Sequence, residues 1–336
     1  MAHELYENDQ MISGRNITPW HRLGEITDEI GIADLHRIMG WDVEKILMAT
    51  MKATGIMPTG EKISIPSLIT SSYATVRLPR NENESPILLG AGMSESYQVL
   101  QNRDLIQLVE PFVEQGCAIE TAGTLKNGQR VWIMLRLAKD LHVGQNDVIQ
   151  KYIMVSNDHT GRQAARFGLV GIRVVCMNTL NMAENSHYGT SQLMRIFHQG
   201  NVNESLKTVA SMLDHVNGKF VNYAINLDML TKKNISQVEL KRYIADCFKP
   251  TYSQNRRDTD SFIEKTEQKI IQLFESGAGS DLKEANGTVY GAYQAVNAYL
   301  NHNKNVALDT RLPSLVWGHR ANTDKRALNL ALKLAA

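Results

Sequence analysis

Residues 121–137 read TAGTLKNGQRVWIMLRL, and this stretch decides the class of fold. Lys126-Asn127-Gly128-Gln129 lies between two runs of β-forming residues, and Asn-Gly is a strong hairpin pair because both residues accept positive φ. The spacing predicts strands over 121–125 and 130–137. In the second, Val131, Ile133, Leu135 and Leu137 alternate with Arg130, Trp132, Met134 and Arg136. A period of two sends the aliphatic set to a core. The other side holds two guanidiniums around an indole, which suits either base stacking with phosphate pairing or a second packed surface.

Outward from the hairpin the short period continues. Residues 43–52, 62–67, 71–78, 87–92 and 147–156 are strand candidates, separated by Gly, Pro and Asn. Between them Ile32, Leu35, Ile38 and Met39 mark a short helix ending at Gly40. A second helix is expected from a cap at Asn102 through Phe112 to Gly116, kinked or shortened at Pro111. Residues 1–29 read as an irregular arm, with Trp20 after Pro19 as an anchoring ring.

After about residue 200 the period lengthens. Leu206, Val209, Met212, Leu213, Val216, Phe220, Ala224, Leu227 and Leu230 trace a helical stripe. Ser236-Gln237-Val238-Glu239 is a capping box. Further helices are expected at about 258–276, 288–301 and 322–334. The predicted fold is therefore α+β: an arm over 1–29, a strand-rich module with mostly antiparallel sheet over 30–185, and a mostly helical module over 186–336.

The 336 residues carry 36 Lys and Arg against 35 Asp and Glu, so the chain is no polycation, and any affinity for nucleic acid must come from local patches. Residues 1–180 hold 17 cations against 20 acids, and residues 181–336 hold 19 against 15. Between His159 and Ala183 there is no acid at all. Cys117, Cys176 and Cys247 form no CxxC pair and suggest neither zinc nor a disulfide framework. The N-terminus lacks the layout of a signal peptide, and no apolar run nears the ~20 residues of a membrane span, so a cytoplasmic location in a bacterial host is expected.

No phosphate-cradling GxxxxGK, no GxGxxG after a strand, no HExxH and no GxSxG occurs, and no cofactor or metal is expected. Asp158-His159 is an acid-oriented base or part of a turn spanning Asn157-Asp158-His159-Thr160-Gly161. Cys176, three residues after Arg173, is a reactive thiolate or a buried thiol. Asn178 caps the next helix or bonds a ligand phosphate. An enzyme acting on nucleotides or nucleic acid would gather His159, Cys176 and Asn178 into one cluster.

Several of these segments carry a resemblance. They are Pro19-Trp20-His21-Arg22-Leu23-Gly24, Gly40-Trp41-Asp42-Val43-Glu44, Tyr97-Gln98-Val99-Leu100-Gln101-Asn102, Glu120-Thr121-Ala122-Gly123 and Asn157-Asp158-His159-Thr160-Gly161. Arg173-Val174-Val175-Cys176-Met177-Asn178-Thr179-Leu180, Asn286-Gly287-Thr288 and Ala295-Val296-Asn297-Ala298-Tyr299-Leu300-Asn301-His302 complete the set. Together they resemble the phage/plasmid-like protein family catalogued as domain of unknown function 932, over about 1–332. One departure is that Thr160-Gly161-Arg162 follow His159, where the family pattern has Asp-Gly and then Ser. The resemblance implies a place on mobile elements and no particular activity.

By analogy with single-strand annealing proteins of such elements, the expected function is binding of single-stranded DNA or other nucleic acid. Annealing or recombination without ATP, by a homo-oligomer, would follow. Arg130, Trp132 and Arg136 would form a stacking face. Arg162, Arg166, Arg173 and Asn178 would contact phosphates, supplemented by Lys325 and Arg326. A protein-binding counter-defence module is the other alternative, with the helical stripe seating its partner.

Overall fold

The hairpin forms. Its strands pair antiparallel with Gly123 opposite Trp132 and Leu125 opposite Arg130. The turn is wider than a two-residue Asn-Gly turn, because Lys126, Asn127 and Gly128 all have positive φ (55°, 60° and 91°). Asp9 holds this left-handed run, its Oδ1 accepting from the backbone N of Gly128 at 3.0 Å.

The structure, a computed structural model, describes residues 6, 8–15, 24–48, 51–67, 72–173, 175, 178–181, 193–196, 198, 213–248, 256–302 and 318–336. In chain order the strands are β1 (Met11–Ser13), β2 (Glu25–Ile26), β3 (Val43–Leu47), β4 (Met51–Ile56), β5 (Lys62–Ser67), β6 (Tyr73–Arg77) and β7 (Ile87–Met93). They continue with β8 (Ala118–Leu125), β9 (Arg130–Arg136), β10 (Leu141–Val143), β11 (Asp147–Asp158), β12 (Ala165–Arg173), β13 (Asn178–Asn181) and β14 (Leu193–Ile196). The helices are α1 (Ile32–Met39), α2 (Asn102–Glu114), α3 (Leu213–Thr231), α4 (Gln237–Phe248), α5 (Arg256–Ser276), α6 (Val289–His302) and α7 (His319–Ala335).

The chain is α+β, with strands first and helices last. A nine-stranded sheet runs β13-β12-β11-β9-β8-β1-β2, with β10 on β11 and β14 on β12. Its pairs are antiparallel except β1 with β2. Separate sheets are β3-β6-β7 and the two-stranded ribbon β4-β5. The large sheet reaches past the expected module limits of 30 and 185. β1 and β2 come from the arm and occupy the free edge of β8, while β14 pairs with β12. Covering an open edge satisfies its backbone donors and acceptors, which explains the recruitment.

One face of that sheet is the core predicted from the alternation. Val131, Ile133, Leu135, Ile153, Val155, Phe167 and Leu169 are buried with Leu35, Ile38, Leu105, Val109 and Phe112 of α1 and α2. Phe112 meets Phe167 at 5.9 Å between ring centroids. α2 departs from expectation at both ends. Asp104 Oδ2 accepts from the backbone N of Gln101 at 3.0 Å, so Gln101 is the cap and Asn102 is already helical. Pro111 stays within the helix, because in the last turn it removes only one ladder bond.

The helices after residue 212 form a bundle with a polar interior: Asn297 Nδ2 donates to Asp324 Oδ1 at 2.7 Å beneath Leu240, Tyr243 and Leu328. Ser236 and Glu239 make the expected capping box, with Ser236 N 2.8 Å from Glu239 Oε2. The bundle is tied to the sheet by Tyr290, whose hydroxyl donates to Asp147 Oδ2 at 2.9 Å, and by Glu284, which accepts from Gln145 N at 2.9 Å. Of the helical stripe, Phe220, Leu227 and Leu230 are buried in α3. Leu206, Val209 and Met212 lie outside the described residues, as do Trp20 and Cys176.

Candidate nucleic-acid interface

Even-numbered positions of β9, β11 and β12 face away from α1 and α2. Trp132 lies on this side, over Gly123; a Cβ at residue 123 would come within 2.5 Å of the indole. The indole packs with Met11, Tyr152, Met154 and Val170 and is 9% exposed. It is thus the floor of a second apolar layer, and no base could stack on it without displacing its neighbours.

Its two guanidinium neighbours already hold carboxylates. Arg130 Nε is 3.1 Å from Asp158 Oδ2. Arg136 Nη1 is 2.5 Å from Asp140 Oδ1, and its guanidinium lies over the Tyr152 ring at 5.5 Å. The expected Arg-Trp-Arg platform is therefore a packed, charge-balanced surface. A strand buried on both sides leaves no wet face.

The remaining predicted cations divide by register. Across β9, β11, β12 and β14, Trp132 pairs with Ser156, Ser156 with Arg166, and Arg166 with Arg195, forming one lateral row. Arg166 is half-buried, and Arg162 is exposed on the turn before β12. Arg173 pairs with core residue Ile149, seven residues along β12 from Arg166. Asn178 does not cap a helix; it opens β13 directly opposite Arg173. Lys325 and Arg326 lie on α7 in the bundle. There Arg326 Nη1 donates to the carbonyl of Cys247 at 2.9 Å, capping the end of α4. The fold groups Arg166 with Arg195 beside the Arg162 turn and leaves Arg173, Lys325 and Arg326 elsewhere.

Asn157, Asp158 and His159 form a buried polar corner that leads through half-buried Thr160 to exposed Gly161. Asn102 Nδ2 donates to the carbonyl of Met39 at 2.8 Å, so its Oδ1 is the acceptor facing His159 Nε2, also at 2.8 Å. Asn157 Oδ1 accepts from Asp158 N at 2.9 Å, which turns its Nδ2 toward His159 Nδ1 at 3.4 Å. The ring is consequently the neutral Nε2–H tautomer. Burial, then the nearby His198, pushes its pKa down to about 3. Asp158 points the other way, to Arg130, and its Oδ1 accepts from Thr160 N at 2.8 Å in an Asx turn closed by Gly161 at φ +74°.

No acid–base pair forms here. Asp158 and His159 face opposite sides, as neighbours on a strand end must. Nor are His159 and Asn178 brought together, while Cys176 lies outside the described residues. Asn178 is level with Arg173 and hence Ile149, while His159 follows the far end of β11. Ten strand residues span roughly 30 Å.

Sequence reasoning missed three things. Asn102 is not the cap of α2 but the side chain that fixes His159, with Oδ1 2.8 Å from Nε2. Tyr97 and His198 stack at 4.8 Å between centroids, with His198 Nδ1 3.1 Å from the carbonyl of Gln98. The pairing of Arg166 with Arg195 was also missed, although composition hinted at it: residues 185–203 are acid-free as well, so Glu184 alone interrupts the run from 159 to 203.

Among the described residues no group of three or more His, Cys, Asp and Glu could hold a metal ion. No helix among them is long and apolar enough to cross a membrane. A family model described as "Domain of unknown function (DUF932)" matches residues 91–332. No curated protein and no solved structure matches the chain.

Proposed function

The chain belongs to the family catalogued as domain of unknown function 932, and from that premise we propose that it binds single-stranded nucleic acid along the β12–β14 side of its large sheet, as a protein of a phage, plasmid or other mobile element. One observation carries the proposal: Arg166 is paired directly with Arg195 on the neighbouring strand. A phosphate lying across the two strands at this level would take charge-assisted hydrogen bonds from guanidinium groups. Arg162 on the adjoining turn extends the track, and neither strand contains an acid. Annealing of complementary strands without ATP would follow from holding the backbone while leaving bases free to pair.

The test is anisotropy of a labelled oligonucleotide against salt. Three phosphate contacts on a single strand imply a log–log slope near −2, or roughly a twentyfold loss between 50 and 200 mM salt. Arg166→Glu is expected to weaken binding about tenfold or more and flatten that slope by roughly one unit. Arg130→Gln is expected to leave affinity unchanged, because Arg130 is committed to Asp158. Affinity indifferent to salt, or Arg166→Glu binding like the parent chain, removes the proposal.

A second function is favoured by one feature of α3. Val221, Ile225 and Met229 succeed one another every four residues along its exposed side, at 56%, 55% and 40% exposure. Such a stripe fits a protein-binding module. A photo-crosslinker at Ile225 that captures no host protein would dismiss it.

A further inference from the structure

We propose that the outer face of β3-β6-β7 receives the tip of the β4–β5 hairpin from a second copy of this chain. This does not depend on nucleic-acid binding.

Register defines the face. Glu44 pairs with Val76 and Ile46 with Ala74, while Val76 pairs with Leu88 and Ala74 with Ala91. Directly paired residues share a side of a sheet, so Ile46, Leu88 and Ala91, all exposed, share one apolar side with half-buried Val76, buried Ala74 and the charged Glu44. The opposite side, with Val43, Thr75 and Leu89, is buried against the body. An antiparallel sheet wet on one side ordinarily alternates apolar with polar. Here the outer side carries apolar residues instead, with Leu88 61% and Ile46 44% exposed. A bare surface of this kind marks a contact site.

The hairpin presents the opposite problem. β4 and β5 pair with each other from Met51 and Ser67 out to Ile56 and Lys62, as a sheet of two strands only. Six residues at ~3.3 Å carry its tip about 20 Å from its base. At that tip Ile56 is 71% and Met57 42% exposed, followed by exposed Pro58. Two-stranded ribbons are marginal in water without a surface to rest on.

Both surfaces are bare in the same chain, so the tip does not cover its own face. A second copy supplies the missing half of each. Ile56 and Met57 match the apolar patch in chemistry, and exposed Lys62, paired with Ile56, complements Glu44. A reciprocal exchange satisfies both surfaces with one symmetric contact.

Sedimentation of the full-length chain tests this. Leu88→Asp (face) and the double variant Ile56→Asp, Met57→Ser (tip) are each expected to halve the mass of the assembled parent protein, with the circular dichroism spectrum, and the melting in dilute solution, unchanged. An equimolar mixture of the two variants keeps one intact tip and one intact face, and is expected to regain association. A parent chain that stays monomeric at its highest soluble concentration overturns the proposal. So does assembly that survives both variants, or a mixture that fails to associate. Tip variants that remain assembled but lose oligonucleotide binding would assign the hairpin to nucleic acid and equally overturn it.

Discussion

The two sides of the β3-β6-β7 sheet differ sharply in what they carry. On the inner side Thr75, Lys45 and Arg77 are each held by a specific partner. Thr75 Oγ1 donates to the carbonyl of His159 at 2.6 Å, Lys45 Nζ donates to the carbonyl of Tyr97 at 2.8 Å, and Arg77 lies over Trp41 at 4.8 Å. On the outer side apolar groups stand in solvent. The contrast separates two meanings of an unusual residue: a buried polar group is held by specific partners and reports on stability, whereas an exposed apolar one is held by nothing and reports on association.

If that contrast is sound, the largest loss should come from Asn102. Asn102→Leu would strand the carbonyl of Met39 and His159 Nε2 in the core, both now bonded at 2.8 Å. Unpaired buried groups cost about 1–3 kcal/mol each, so urea melts should show a loss of about 3–5 kcal/mol. A loss below about 1 kcal/mol would mean that water reaches the corner, and the inner side would lose its special status.

Gly90 tests the inner side by shape instead of polarity. A Cβ there would lie 2.6 Å from Thr160 Cα, a backbone atom that cannot swing aside. Gly90→Ala should therefore cost about 1–3 kcal/mol by overpacking. The equivalent change at Gly92, where nothing lies within 4 Å but φ is +86°, carries only the backbone term, about 1 kcal/mol.

A smaller effect is pH-dependent. His159 is neutral in the fold with a pKa near 3, against an ordinary 6.5. Its contribution is fully present above pH 6.5 and drains as pH falls toward 3, because the unfolded chain takes up a proton that the corner refuses. The slope approaches about 1.4 kcal/mol per pH unit in that window. His159→Gln lacks the titrating group, so the stability difference between it and the parent should narrow on going from pH 7 to pH 5. A constant difference would show that the imidazole is accessible to protons.

Much of this fold was legible in the sequence. The 121–137 alternation and its Asn-Gly turn gave the hairpin and the core side of the large sheet, and Ser236 with Glu239 gave the start of α4. The site was less legible because its terms are long-range. Nothing local says that Asp158, 28 residues from Arg130, will neutralise it, or that Gly123 will sit beneath Trp132. Charge counts along a chain cannot reveal which cations have already found an acid in space.

The smallest expected effect is at Leu88, and it is the sharpest test of the comparison. At 61% exposure its side chain has little left to lose to water, and Thr is an equally good strand former, so Leu88→Thr should shift monomer stability by no more than about 0.5 kcal/mol. The measurement belongs at low protein concentration. If a second copy covers this face, the parent chain gains stability from mass action as concentration rises, and the variant does not. The two urea midpoints should then coincide in dilute solution and diverge as the protein is concentrated. Midpoints that already differ by more than about 1.5 kcal/mol when dilute would mean that this chain itself buries Leu88, and the outer side would then be core like the inner one.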